Sequence, residues 1–250
     1  MKKIYELSIF ETMRSYHGRI VYFHQHLKRL EKSAELIGMK FPYSRQKIKG
    51  MITRTIRINK FKDAYVKLIL LGAVNKTDVI IIVKKYQPYL LKKYTKGFSA
   101  AISQFRQRDI FLAQIKTTNR SLYERAFNQA KAIGFDEAII LNKQGNITEG
   151  TRSNIFFAKN NTLFTPALEC GCLAGITRQA VLDLARKFKV KVNQGKFSLQ
   201  ELYQADEVFL TNSLMGVMPL KKVERKKIGK ANFKLTRFFM QKYNHLLHAN

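Results

Sequence analysis

The chain has 250 residues, 46% of them hydrophobic, and carries 46 lysines and arginines against 17 acidic residues, a formal net charge of +29. Its length and apolar content allow one large or two modest domains with a buried core, and it has no apolar run of about 18 residues that could span a membrane. The two cysteines, Cys170 and Cys172, stand too close together for a disulfide or a zinc knuckle, so no metal is expected. A field this positive attracts anions. The basic residues are nevertheless spread through the chain without a recognisable nucleic-acid module, so the expected partner is a small anionic molecule and not a nucleic acid. Glu6 falls where a secretory signal would need apolar residues, and a cytoplasmic location is expected.

In chain order, Ser8 to Tyr16 reads as a strand, turned at His17-Gly18, with Arg19 to Phe23 as its return. His26 to Ile37 follows a helical period, with Leu27, Leu30, Ala34 and Ile37 on one face and Gly38 as its stop. Ser44 is placed to cap a second helix carrying Ile48, Met51, Ile52 and Ile56. Ala64 to Leu71 and Asp78 to Val83 are rich in β-branched and aliphatic residues and read as strands. Residues 91–97, within a polar stretch containing a proline and clustered lysines, are the expected linker between a domain over 1–90 and a domain over 98–250.

Beyond the linker, Phe98 to Ser103 resumes as a strand. Ser121-Leu122-Tyr123-Glu124 has the pattern of a capping box opening a helix that stops at Gly134. Glu137 to Leu141 and the residues from Ile147 form a hairpin, and Ser153 to Lys159 with Thr162 to Thr165 form another turned at Asn160-Asn161. Gly175 to Phe188 is a helix, Ser198-x-x-Glu201 a second capping box, Glu207 to Thr211 a short buried strand, and Ala231 to Leu247 a closing amphipathic helix. Two α+β lobes follow, and a cleft between lobes is the default place for a ligand.

Taken singly, the polar candidates are weak. Lys116 follows an apolar stretch from Ile110 and reads as a surface lysine at a strand end. Gly175-Ile176-Thr177-Arg178 reads as an ordinary helix start, although free N–H groups there favour phosphate. Thr148-Glu149-Gly150 reads as a hairpin corner. His24-Gln25-His26 lacks a third ligand at metal spacing.

Their order along the chain is the stronger signal. Phe10-Glu11-Thr12-Met13-Arg14 with His26 to Ala34, then Ile115-Lys116-Thr117-Thr118-Asn119, Phe135-Asp136-Glu137-Ala138 and Thr148 to Phe156, then Gly175-Ile176-Thr177-Arg178 and Ala205 to Ser213, together resemble the class IV aminotransferase superfamily of pyridoxal-phosphate enzymes. The resemblance implies an α+β, two-lobed D-amino-acid-aminotransferase-like fold, with a small N-terminal α/β domain and a larger C-terminal β-rich domain with flanking helices. It implies pyridoxal 5'-phosphate as cofactor and a homodimer. Lys116 matches the lysine that carries the cofactor covalently and moves the substrate's α-proton. Glu149 matches the carboxylate facing the ring nitrogen. Arg29, the backbone of Ile176 and Thr177, the Thr177 hydroxyl and Ser213 match the phosphate-binding positions. Asn154 matches a structural position without chemistry.

Within the superfamily, branched-chain aminotransferases carry a tyrosine five residues after the lysine, where this chain has Ser121. Lys116-x-x-Asn119-Arg120 and the stretch from Asp206 to Pro219 look like 4-amino-4-deoxychorismate lyases. These convert that dicarboxylate to 4-aminobenzoate, a folate precursor, and pyruvate. Two departures from the lyase pattern are visible. Leu70-Leu71-Gly72-Ala73-Val74-Asn75-Lys76 stands where an Arg-Gly-rich segment is usual, with Lys67 as a substitute carboxylate partner. Glu6-Leu7-Ser8 replaces a Gly-Asp-Gly turn, implying a shortened first strand. The alternative within the superfamily is an aminotransferase for D-amino or branched-chain acids. The alternative outside it is a polyanion binder on a degenerate enzyme fold, which would bind no cofactor and would hold nucleic acid with steep salt dependence.

Overall fold

The computed structural model describes residues 8–73, 76–229 and 233–249. Among them the chain forms two compact units. One holds the described residues up to Pro88 together with Ile115–Asn119; the other holds Tyr89–Gln114 and the described residues from Arg120 onward.

In the first unit, β1 (Ile9–Tyr16) and β2 (Arg19–Ile20) are followed by α1 (Phe23–Leu36), α2 (Arg45–Ile58), β3 (Ala64–Ala73) and β4 (Lys76–Lys85), with strand order β2-β1-β3-β4. All pairings are antiparallel, with Glu11 opposite Leu68 and Lys67 opposite Ile82. Because side chains alternate across a strand, Ile9, Met13, Val66, Leu68 and Leu70 form one face. That face packs with Leu27, Leu30 and Ala34 of α1 and with Ile48, Ile52 and Ile56 of α2. The Ile48–Ile52–Ile56 spacing keeps three β-branched chains on one stripe of α2. Ser44 caps that helix as its sequence indicates, accepting from Lys47 N at 3.2 Å.

The second unit runs α3 (Leu91–Lys96), β5 (Phe98–Gln107), α4 (Ile110–Gln114), α5 (Ser121–Ala132), β6 (Glu137–Asn142), β7 (Ile147–Gly150), β8 (Asn154–Lys159), β9 (Thr162–Pro166), α6 (Ile176–Lys187), β10 (Val192–Gly195), α7 (Leu199–Tyr203), β11 (Glu207–Asn212), β12 (Gly216–Val223), β13 (Lys226–Lys227) and α8 (Lys234–Ala249). Its mixed sheet has the order β10-β9-β8-β11-β12-β5-β6-β7, with β13 paired to β12. One core cluster joins Ile139, Ile147, Ile155, Val208, Leu210 and Met218. The turn from β7 to β8 is tied to Glu137, whose buried carboxylate accepts from Thr151 N, Arg152 N, Thr151 Oγ1 and Ser153 Oγ. A Cβ on Gly150 would lie 2.4 Å from Ser153 Oγ, so this close turn requires glycine.

Several elements differ from the sequence reading. The strand expected over Arg19 to Phe23 ends at Ile20, because Phe23 joins Leu27, Leu30 and Ala34 in the buried stripe of α1. Residues 91–97, expected as a linker, hold α3 with Gly97 as its C-cap and belong to the second unit, while Ile115–Asn119 returns to the first. Ser121 is the first residue of α5 and makes no side-chain cap; Arg120 precedes it, and its guanidinium donates to Thr151 O at 2.8 Å. The apolar residues before Lys116 form a short helix and not a strand. Strands β10 and β12 were not anticipated. β12 contains Pro219, which reads against an interior strand in sequence but sits in register with Phe209. Ala231, Val74, Asn75, Glu6 and Leu7 lie outside the described residues.

Ile52 is fully buried in the first unit's core. Ile52→Ala is expected to cost about 2–5 kcal/mol of stability, read as a shift of the urea unfolding midpoint.

Candidate active site

The first unit holds Lys116 and Arg29. Lys116 is half-buried, and its backbone is stitched to β1: Phe10 N donates to Lys116 O at 2.8 Å, and Thr117 forms a bridge with Ile9. Thr118 N donates to Ser8 O at 2.7 Å. The Lys116 ammonium lies 4.9 Å from the centroid of the Phe10 ring, with Lys67 Nζ 4.5 Å from the same centroid. The segment thus holds Lys116 as a pseudo-strand against the edge of the sheet.

Arg29 is oriented by a residue to which sequence reasoning assigned no role. Glu11, buried on the helix-facing side of β1, accepts from Arg29 Nε and Nη2, both at 2.7 Å. It also bonds His26 Nδ1 at 2.7 Å. Burial works to raise the Glu11 carboxyl, but the charges of Arg29 and His26 and their hydrogen bonds outweigh it and hold the group at about 2, against 4.5. His26 is lowered from its ordinary 6.5 by burial, against the pull of Glu11, with Arg29 and Lys116 lowering it further. An ionised carboxylate only accepts, so the imidazole donates from Nδ1 to Glu11. Glu11, His26 and Arg29 all stood within motifs noted in the sequence. A carboxylate on the buried face of an amphipathic strand, facing a His-x-x-Arg helix turn, was the available signal.

The second unit holds Glu149, Ile176, Thr177 and Ser213. Glu149 lies on β7 and is 5% exposed. Its Oε1 accepts from Tyr123 Oη at 3.0 Å, and its Oε2 accepts from Leu173 N at 3.0 Å and Asn154 Nδ2 at 3.2 Å. Asn154 also donates to Leu173 O at 2.8 Å. Gly175, the N-cap of α6, brings Ile176 and Thr177 to this carboxylate's surroundings. A Cβ on Gly175 would lie 1.9 Å from Asn154 Oδ1, so only glycine lets the helix start so close to Asn154. Gly175 has no side chain to cap the helix, and the first-turn N–H groups of α6 lack intrahelical acceptors. Arg178 fastens this turn by donating to Pro166 O at 3.0 Å and Gln194 Oε1 at 2.8 Å.

Thr177 Oγ1 lies 3.3 Å from the hydroxyl of Tyr243 on α8. The same tyrosine ring closes over Gly216, whose added Cβ would meet it at 3.1 Å. Ser213 lies in the turn before Gly216, a turn ordered by Asn212 Oδ1 accepting from Leu214 N at 3.0 Å and Met215 N at 2.8 Å. Tyr123, Gln107 and Tyr243 were not singled out in the sequence. They reach the site from α5, β5 and α8, and no local spacing marks them.

Two outcomes follow. The depressed Glu11 carboxyl contributes stability in full above 4.5 and loses it as pH falls toward about 2, because the unfolded chain takes up that proton first. His26, lowered from 6.5, acts in the same direction. Urea midpoints should therefore fall on acidification, and Glu11→Gln should flatten the lower part of that slope. Gly175→Ala should displace Asn154 and cost about 1–3 kcal/mol in the same unfolding assay.

Comparison with known proteins places this geometry in a family. The model of the family described as amino-transferase class IV matches residues 8–223. A branched-chain-amino-acid aminotransferase of Pseudomonas aeruginosa is 29% identical over 242 residues, covering 90% of this chain and 78% of that protein. An aminodeoxychorismate lyase of Bacillus subtilis is 27% identical over 241 residues, covering 90% and 80%. The crystal structure of the Escherichia coli branched-chain amino acid aminotransferase aligns with a TM-score of 0.90 at 27% identity, covering 96% of this chain and 86% of that one. With the family match spanning most of its length and both units, the chain belongs to the class IV aminotransferases, a family of pyridoxal-phosphate enzymes.

Proposed function

We propose that the protein is a pyridoxal-phosphate-dependent lyase that converts 4-amino-4-deoxychorismate to 4-aminobenzoate and pyruvate. The observation that carries the reading is the tyrosine-free position five residues after Lys116. Ser121 occupies it, and Tyr123, the nearest tyrosine that follows, has its hydroxyl engaged by Glu149 and Gln107. Asn119-Arg120 and the Asp206 to Pro219 stretch add the lyase pattern.

The donor chemistry suits the cofactor. Glu149 is met by three donors, an arrangement that favours the ionised carboxylate, the form that pairs with a protonated ring nitrogen. The uncapped first turn of α6 offers N–H groups to a phosphate dianion, with the Thr177 hydroxyl beside them. Arg29, fixed edge-on by Glu11, adds a guanidinium, and the Ser213 hydroxyl a further donor. Bound pyridoxal phosphate supplies the carbonyl carbon that takes up the substrate amine and the electron sink that stabilises a carbanion.

Lys116 carries the cofactor, and its released amine removes the proton from the carbon bearing the substrate amino group, then returns a proton to the departing enolpyruvyl group. Glu149 keeps positive charge on the ring nitrogen through that step. The strongly basic chain favours a dicarboxylate substrate over neutral competitors. We place the enzyme in the cytoplasm, in folate biosynthesis. We further propose that it acts as a homodimer, for which the exposed apolar residues Ile110, Phe111 and Leu112 of α4 offer surface.

Transamination of D-amino or branched-chain acids is the second reading, favoured by the similarity to the Pseudomonas and Escherichia aminotransferases. Incubating the purified protein with aminodeoxychorismate should yield the fluorescence of 4-aminobenzoate. Amino-group transfer to 2-oxoglutarate without aminobenzoate would end the lyase reading. Lys116→Ala should lose the visible absorbance of the bound cofactor and about 10²–10⁴-fold of the rate.

A further inference from the structure

Gln107, at the end of β5, is buried, and its side-chain amide has a determined orientation. Its Oε1 accepts from the backbone N–H of Arg108 at 2.9 Å and of Asp109 at 3.2 Å. The amide nitrogen must then point the other way, and it donates to Tyr123 Oη at 2.8 Å. Gly171 closes over this side chain, since a Cβ there would lie 3.0 Å from Gln107 Cγ.

Tyr123 has one proton to give. Gln107 fills an acceptor position on its oxygen, and an ionised carboxylate can only accept. The phenol proton is therefore directed at Glu149 Oε1, 3.0 Å away. The guanidinium of Arg120 lies 4.2 Å over the Tyr123 ring, drawing electron density from it and strengthening the hydroxyl as a donor. Burial, with the neighbouring Glu149 charge, raises the phenol well above its ordinary 10, so it stays protonated through the working pH range.

We infer that Gln107 and Tyr123 form a one-way donor relay, running from the backbone of Arg108 and Asp109 to Glu149, that sets how strongly Glu149 holds positive charge on the cofactor's ring nitrogen. Both are positioning residues, and Tyr123 tunes the carboxylate through a hydrogen bond given to its charged form. Removing that bond makes Glu149 more basic and draws the shared proton from the ring nitrogen toward the carboxylate. The inference rests on the proposed pairing of Glu149 with that nitrogen, and its test separates the two.

The full chain is reconstituted with pyridoxal phosphate and, separately, with the 1-deaza analogue, which lacks the ring nitrogen. The ratio of the two affinities is measured for the wild type, Tyr123→Phe, Gln107→Leu and Glu149→Gln. The nitrogen resonance of ¹⁵N-labelled bound cofactor is recorded alongside. Tyr123→Phe is expected to weaken pyridoxal phosphate about 10-fold, the effect of one hydrogen bond to a charged group. It should leave the deaza analogue unchanged and move the nitrogen resonance toward the neutral-ring position. Gln107→Leu, which leaves Tyr123 packed, should shift both readings the same way by a smaller amount and serves if Tyr123→Phe folds poorly. If Glu149→Gln collapses the affinity ratio while both relay variants keep the wild-type ratio and resonance, the relay is overturned and the pairing stands. If Glu149→Gln leaves the ratio intact, the pairing fails and the relay with it.

Discussion

A carboxylate buried inside a protein of net charge +29 accepts from donors on three separate segments, and much of the second unit is arranged around it. Glu149 is bonded by a phenol, an amide and a backbone N–H, each from a different part of the chain: α5, β8 and the segment before α6. Burying an ionised group is costly unless its charge is met by hydrogen bonds, so these donors cannot be placed loosely. Asn154 is shared between the carboxylate and Leu173 O. That sharing lets the α6 turn approach until only a glycine fits at 175. The position of the helix start and the state of the carboxylate are therefore one constraint.

The first unit meets a similar problem with an arginine and a histidine. Glu11 sits among apolar residues on the helix-facing side of β1, where a lone carboxylate would be strongly destabilising. Arg29 meets it with two parallel hydrogen bonds and His26 with a third. The pair fixes the plane of the Arg29 guanidinium before any anion arrives, which reduces the ordering needed to bind one. Lys116 is positioned by backbone pairing to the same strand, through Phe10 and Ile9. One eight-residue strand thus orients both cationic candidates of this unit.

Much of this is legible in the sequence. The α2 stripe, the Ser44 cap, the capping box at Ser198 and the hairpin turn at Asn160-Asn161 rest on local periodicity or turn chemistry, and all four form. Local reading faltered where a distant partner decided the outcome. Phe23 left its expected strand because the core wanted it in the α1 stripe. Ser121 did not cap α5, and the neighbouring Arg120 instead reaches Thr151. β12 carries a proline in register with Phe209, between β11 and β5. Residues 91–97 have the composition of a linker, yet α3 packs in the second unit, with Tyr94 donating to Met215 O at 3.0 Å.

The sequence by itself determined the family, because an ordered set of short motifs survives in linear spacing, and it determined which residues could bond, accept or donate. Tertiary structure alone decided what holds them. Tyr123 is 26 residues from Glu149, Asn154 is 19 from Leu173, and Thr177 is 66 from Tyr243. Separations of that size carry no periodicity that a local reading can detect. The direction of each hydrogen bond, and with it the depressed Glu11 carboxyl, exists only once the folded chain has brought those groups within about 3 Å of each other.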